Sequence, residues 1–226
     1  MTTAFPVLAI DGPSGSGKGT VARRVSQALG WHLLDSGALY RLTGLAAEQA
    51  GITTEQPAEL ADLARSLNIR FDATESGDEL ILLDDADVTG EIRTEAAGER
   101  ASKVAAIPDV RAALMDLQLS FRQAPGLVAD GRDMGTNVFP DAPLKVFLTA
   151  SAEERARRRH KQLMLKGIDV NLAALSRDIE ARDRRDSQRS VAPLLPADDA
   201  RVLDSSDLSI ETVTDTVLGW ARETWS

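Results

Sequence analysis

No cysteine occurs in the 226 residues. A disulfide framework and a thiolate metal site are therefore impossible, and the composition fits a reducing compartment. Histidine is almost as scarce: His32 and His160 are the only two, and neither has a partner that suggests acid–base or metal chemistry. No apolar run approaches the roughly 20 residues that cross a bilayer. The opening MTTAFPVLAIDG lacks a basic flank and turns polar after a few apolar residues, unlike an export signal. These absences predict a soluble, cytoplasmic chain with no membrane partner. There is no internal repeat and no low-complexity linker. Overall positive charge is missing too: the net charge is −9, which argues against a general polyanion binder.

What is present is 43% apolar residues, as in a globular chain. The length suits one sizeable α/β domain with insertions rather than two independent cores. No exposed apolar stripe stands out, so a monomer is expected. The charge is uneven. Residues 151–189 hold eleven Lys/Arg against seven Asp/Glu, a net of +4, which leaves −13 for the remainder. The function must account for that one basic segment.

The strongest local pattern is VLAIDGPSGSGKGTVARRV, residues 7–25. Val7–Ile10 is a short continuous apolar run, read as a buried parallel strand. Val21, Val25 and Leu29 then recur at helical spacing, and Gly30 is a plausible stop. Between them lie Gly12, Pro13, Ser14, Gly15, Ser16, Gly17, Lys18, Gly19 and Thr20. This nearly matches G-x-x-x-x-G-K-[ST], with the hydroxyl one place late. Glycines let several backbone N–H groups approach one anion, and the helix beginning near Lys18 points its positive end at the same place. Lys18 can reach β- and γ-phosphates, and Thr20 can still offer a hydroxyl to Mg²⁺. The bland alternative is a flexible Gly/Ser surface loop; the strand before it and the helix after it weigh against that.

Further strands are expected at His32–Leu34, Leu127–Ala129, Leu144–Leu148 and Val202–Leu203. Helices are expected around Tyr40–Ala50, Glu95–Ala106 and Val110–Phe121. Residues 68–92 break the βα alternation. Asn68–Ala73 and Glu79–Leu83 read as strands joined by a hairpin turn at Glu75–Asp78. Ser151 and Glu154 form a capping box ahead of an Arg-rich helix, and Ile210, Val213, Val217 and Trp220 share one face of a terminal helix that should dock on the sheet. The expected class is α/β: a mainly parallel five-stranded P-loop sheet flanked by helices, with a small antiparallel β insertion and a helical lid. Residues 1–62, 118–151 and 190–226 would form the core, 63–117 the acceptor-binding insertion, and 152–189 the lid with substrate-contacting helices. Ligands bind such sheets at the carboxyl ends of their strands, where Asp11, Asp35 and Asp130 should converge.

HLLDSGALYR (32–41), TGEIRT (89–94), VADGRDMGT (128–136), RDRRDSQRSVAPL (182–194) and VLDSSDLS (202–209), together with the G-K-G-T loop ending, resemble the bacterial cytidylate kinases over nearly the whole chain. The resemblance implies phosphoryl transfer from ATP to CMP or dCMP with Mg²⁺ as cofactor. Such a transfer depends mostly on positioning and charge neutralisation, so arginines from separate segments are expected. Arg41, Arg132 and Arg189 are the candidates for the acceptor phosphate, with Gly131 beside them, and the resemblance implies Ser36, Tyr40 and Arg41 at that end of the acceptor. Ser102, Arg111 and Asp130 would read the base, and Arg182 with Asp186 the ribose. Asp130 could instead organise Mg²⁺, and Arg182–Asp186 could be an ordinary surface pair. Lys18, Arg132, Arg158 and Arg155 are the expected catalytic cations, the last two from a lid closing over ATP. Thr20 and Asp35, with Asp11 as an alternative, could hold Mg²⁺.

The rivals are a kinase of the same fold acting on UMP, AMP or shikimate, a nucleotide-binding switch, and a nucleic-acid binder using the Arg-rich helix. A guanine-reading N-K-x-D is absent: the asparagines precede Ile69, Val138 and Leu172. Asp87–Gly90 fits D-x-x-G but lies in the acidic insertion. The chain's acidity and the lack of aromatics near the Arg-rich helix oppose nucleic acid as a partner.

Overall fold

Val7–Asp11, wholly buried, is the central strand (β1) of a parallel sheet in the computed structural model, which describes residues 5–73, 79–165 and 167–225. The chain continues through α1 (Lys18–Leu29) and β2 (His32–Asp35), then α2 (Ser36–Ala50), α3 (Pro57–Ser66), β3 (Ile69–Ala73), β4 (Glu79–Leu83), β5 (Ala86–Asp87), α4 (Thr89–Ile92), α5 (Glu95–Val104) and α6 (Pro108–Ser120). There follow β6 (Leu127–Gly131), a π-helical turn (Met134–Val138), β7 (Leu144–Thr149), α7 (Ala152–Leu165), α8 (Leu172–Ser187), β8 (Arg201–Asp204) and α9 (Ile210–Trp225). Two compact units result, Met1–Asp35 with Gln118–Ser226, and Ser36–Leu117.

In the first unit five strands run in the order β2-β6-β1-β7-β8, all pairs parallel. Continuous apolar runs such as Val7–Ile10 suit a sheet covered on both faces. Val21, Ala22 and Val25 of α1 and Val213, Val217 and Ala221 of α9 close over Leu8, Ile10, Val128, Val146 and Leu148. The terminal helix thus docks as its spacing predicts. Gly30 ends α1 at φ 66°, with its N–H on the Gln27 carbonyl, and the Ser151 hydroxyl accepts the Glu154 N–H at 3.1 Å to cap α7.

The second unit contains the antiparallel sheet β3-β4-β5. Ala38, Leu42, Leu45 and Ala46 of α2 bury one helix face against Ile81, Leu83, Val88 and Ile92. The β insertion and the fold class are as expected. The unit opens at Ser36, however, so that α2 and α3 join it, whereas the sequence placed its start at residue 63. The segment 152–189, read as a lid, forms α7 and α8 of the first unit. The hairpin turn expected at residues 75–78 lies outside the described residues. Among the described residues, no helix is long and apolar enough to cross a membrane.

Candidate active site

Residues 12–17 carry the chain from β1 to α1 in a conformation that depends on glycine. Gly12, at φ 154°, has no room for a side chain: a Cβ there would come within 2.0 Å of the Leu148 carbonyl oxygen. Gly17, at φ 91°, sits at the N-cap of α1 with no side-chain cap, so the first helical N–H groups lack a side-chain acceptor. Ser16 is buried and its hydroxyl has no hydrogen-bond partner among the described residues, a polar atom suited to an incoming oxyanion. Gly19 and Thr20 are exposed in the first turn. Strand, loop and helix therefore assemble an anion site as the motif requires.

Lys18 is buried. Its Nζ donates to the Pro13 carbonyl at 3.3 Å and lies 4.0 Å from Asp130. Burial first, then the Arg132 charge, lower its pKa to about 7, with Asp130 and Asp35 opposing. A buried lysine beside Arg132 and Arg182 gains from an anionic ligand, which restores its ammonium form.

The strand ends bring the carboxylates together. Asp130 lies within β6, not after it, in register with Ile10 on one side and Asp35 on the other. Asp11 pairs in register with Gly131. Asp11 is the carboxylate that the sequence offers as an alternative to Asp35 at Mg²⁺. It is buried, and its two oxygens accept the Met134 and Gly135 N–H groups at 2.8 Å each. Burial raises its pKa to about 7 even though those two N–H groups pull it down.

Asp186, 1% exposed, gathers three arginines. Arg132 Nε is 3.3 Å from it, Arg189 Nη2 2.5 Å and Arg182 Nε 3.9 Å. The sequence named all four residues, and the structure joins them from the chain just after β6, from α8 and from the chain after α8. Three largely shielded guanidinium groups converge on one buried carboxylate, a cationic cluster that suits a phosphate bound beside it. Arg182–Asp186 is therefore no ordinary surface pair. Gly131 ends β6, and its carbonyl accepts from Arg132 Nη1 at 3.2 Å.

Arg155 and Arg158 were expected to face the transferring group, but here they bind protein acceptors. Arg155 is paired bidentately with Asp183 and also donates to the Ala150 and Ser14 carbonyls. Arg158 meets Glu154, Ser16, Ser205 and Ser206. Arg157 pairs with Glu153 and Glu154, so much of the basic face of α7 is matched within the fold.

In the second unit Ser36 and Tyr40 are buried on α2, Ser102 on α5 and Arg111 on α6. The Arg111 guanidinium stacks 5.6 Å from the centre of the Tyr40 ring and donates to the Ala105 carbonyl at 3.4 Å. Arg41 Nη1 donates to the Ile92 and Thr94 carbonyls at 2.6 and 3.1 Å.

Sequence reasoning missed Asp183 and Ser205. Asp183 is one of three acidic residues in the stretch 180–186, and its partner is 28 positions away. Ser205 sits in a quoted motif, yet only the fold shows its hydroxyl on the Ser16 and Thr149 carbonyls.

A family model described as cytidylate kinase matches residues 8–223. A cytidylate kinase from Pseudomonas paraeruginosa is 59% identical over 219 residues, 96% of each chain. Another, from Methylococcus capsulatus, is 60% identical over 213 residues, covering 94% of this chain and 95% of its own. Among solved structures, an uncharacterized protein from Eubacterium ventriosum aligns over 95% of this chain and 97% of its own, at 12% identity and a TM-score of 0.48. The motif-bearing loop, the arginine cluster on Asp186 and this full-length similarity together make the chain a member of the cytidylate kinase family.

Proposed function

We propose that the chain transfers the γ-phosphoryl group of ATP to CMP or dCMP, releasing ADP and CDP or dCDP. The observation that carries the reading is the cluster on Asp186, because an acceptor that is itself a phosphate needs cations beyond Lys18 of the ATP loop. An oxygen of the acceptor phosphate attacks the γ-phosphorus, the bond to the bridging oxygen of ADP breaks, and that oxygen leaves with its electron pair. The acceptor is already anionic, so no general base is required. Residues 12–20 would hold the ATP phosphates through backbone N–H groups and Lys18. Arg132 and Arg189 would orient the acceptor phosphate, with Gly131 beside them, and Arg182 and Asp186 the ribose. In the second unit Ser36, Tyr40 and Arg41 are assigned to the acceptor, and Ser102 and Arg111 to its base; in the first unit Asp130 is assigned to the base. A carboxylate accepts from the cytosine amino group, where uracil presents a carbonyl. Such a mismatch costs about 1–3 kcal/mol.

Thr20, an exposed hydroxyl, and Asp35, a carboxylate at the end of β2, are hard oxygen donors that fit Mg²⁺. Among the described residues no group of three acidic or histidine side chains forms a cage, so phosphates and water would complete the shell. When bound, the ion supplies charge neutralisation on the polyphosphate.

ADP release from ATP is to be measured with CMP, dCMP, UMP, AMP and GMP supplied separately. Rapid turnover with CMP and dCMP alone is expected. Turnover with another monophosphate removes the base assignments, and no turnover with any removes the transfer.

A further inference from the structure

The α7 arginines offer more than charge, because both hold backbone carbonyls of the loop between β1 and α1. Arg155 Nη1 donates to the Ser14 carbonyl at 3.1 Å. Arg158 Nη1 donates to the Ser16 carbonyl at 3.4 Å, and the Ser205 hydroxyl lies 3.1 Å from the same oxygen, its one proton shared between it and the Thr149 carbonyl at 3.0 Å. In a trans peptide unit the C=O and the following N–H point in opposite directions. A Ser14 carbonyl held outward turns the Gly15 N–H the other way, and a Ser16 carbonyl held outward does the same for the Gly17 N–H. Both glycines have positive φ, 79° and 91°. Alternating peptide orientations of this kind build an anion-binding nest. The loop also lies against α7: a Cβ on Gly15 would sit 3.2 Å from the Arg155 Cβ.

Arg155 is committed at every nitrogen. Nε donates to Ala150 at 2.9 Å, Nη1 to Ser14 and Asp183, and Nη2 to Asp183 at 2.5 Å. It is 4% exposed. Reaching a phosphate directly would break this set, and a buried carboxylate-paired guanidinium is costly to unpair.

We infer that Arg155 and Arg158 are positioning residues that hold the phosphate loop in its anion-accepting shape, and that Asp183 of α8 fixes Arg155 for this purpose. The inference rests on the reading of that loop as the ATP site. Asp183 then links the helix that carries Arg182 and Asp186 to the loop that carries Lys18, within one compact unit.

The test compares wild type, Asp183→Ala, Arg155→Lys and Ser205→Ala as full chains. The readouts are the ADP dissociation constant by calorimetry and separate KM values for ATP and CMP. Asp183→Ala and Arg155→Lys are expected to weaken ADP and raise the ATP KM about tenfold, as loss of charge-assisted hydrogen bonds implies. The CMP KM should stay within about twofold. Ser205→Ala, which removes one neutral donor from the Ser16 carbonyl, should weaken ADP about threefold. Arg155→Lys separates the roles: an ammonium keeps the charge but cannot serve Ser14, Ala150 and Asp183 together. The inference is overturned if Arg155→Lys and Asp183→Ala bind ADP as wild type does while kcat falls, because the side chain would then act on the reacting group. If Asp183→Ala does not fold, Ser205→Ala decides, and wild-type ADP affinity in that variant overturns the inference. ADP binding reads the loop whether or not CMP is the acceptor, so failure of the proposed activity shows separately in the turnover assay.

Discussion

Lys18 shows how strongly the free site favours an anion. An ordinary lysine titrates near 10.5, and this one is lowered to about 7 by burial and by the Arg132 charge. At pH 8 most of it is therefore neutral when the site is empty. The ATP phosphates restore the preference for the ammonium form, so binding takes up a proton. Calorimetric titration of ATP at pH 8 in buffers of different ionisation enthalpy should show uptake of up to about one proton, fading as the pH drops to 6, where Lys18 is already charged. Lys18→Met should abolish the uptake; an unchanged value there would assign the proton to another group. Lys18 itself was legible, because the motif names it. Arg155 and Arg158 were legible only as cations. Their acceptors are carbonyls of residues 14, 16, 150, 205 and 206 together with Asp183 and Glu154, and a one-dimensional pattern does not show where carbonyls point.

At the scale of elements, α2 carries much of the second unit. Leu42 is fully buried in the cluster with Ile81 and Ile92. Leu42→Ala removes those contacts and leaves a cavity, costing about 2–5 kcal/mol. Urea unfolding followed by circular dichroism should show that loss, and a loss below about 1 kcal/mol would mean that the unit repacks freely. The helix starts at Ser36, directly after β2, ahead of the Tyr40–Ala50 stretch in which the spacing shows it. α3 escaped notice because its buried face is Leu60, Ala61 and Ala64, and alanine contributes little to an apolar stripe. β6 outran its apolar run because the ladders to Ile10, Asp11 and Asp35 continue through Asp130 and Gly131. Strand extent is set by partners, and partners are distant in sequence. The π-helical turn at Met134–Val138 depends likewise on Asp11, which receives its first N–H groups from 123 and 124 residues away. Alternation of strand with helix was legible throughout the parallel sheet, because each of its strands is a short apolar run bounded by polar or glycine residues.

For the molecule as a whole, a net charge of −9 coexists with a site for polyanions because the cations are concentrated. Lys18, Arg132, Arg182 and Arg189 meet near Asp130 and Asp186, while the acidic excess lies elsewhere in the chain. The free protein bears the cost of holding like charges together, and a bound nucleotide relieves it. Binding to the native state alone stabilises by mass action, about 2.7 kcal/mol at a ligand concentration one hundred times Kd. In a chain of this length each kcal/mol is worth roughly 2–4 °C. ADP at that excess should therefore raise the melting temperature by about 5–10 °C. Cytidine, which lacks phosphate, should leave it nearly unchanged, because the arginines around Asp186 find no phosphate in a nucleoside. A cytidine shift as large as that of ADP would place the dominant recognition at the base and take it away from the arginines.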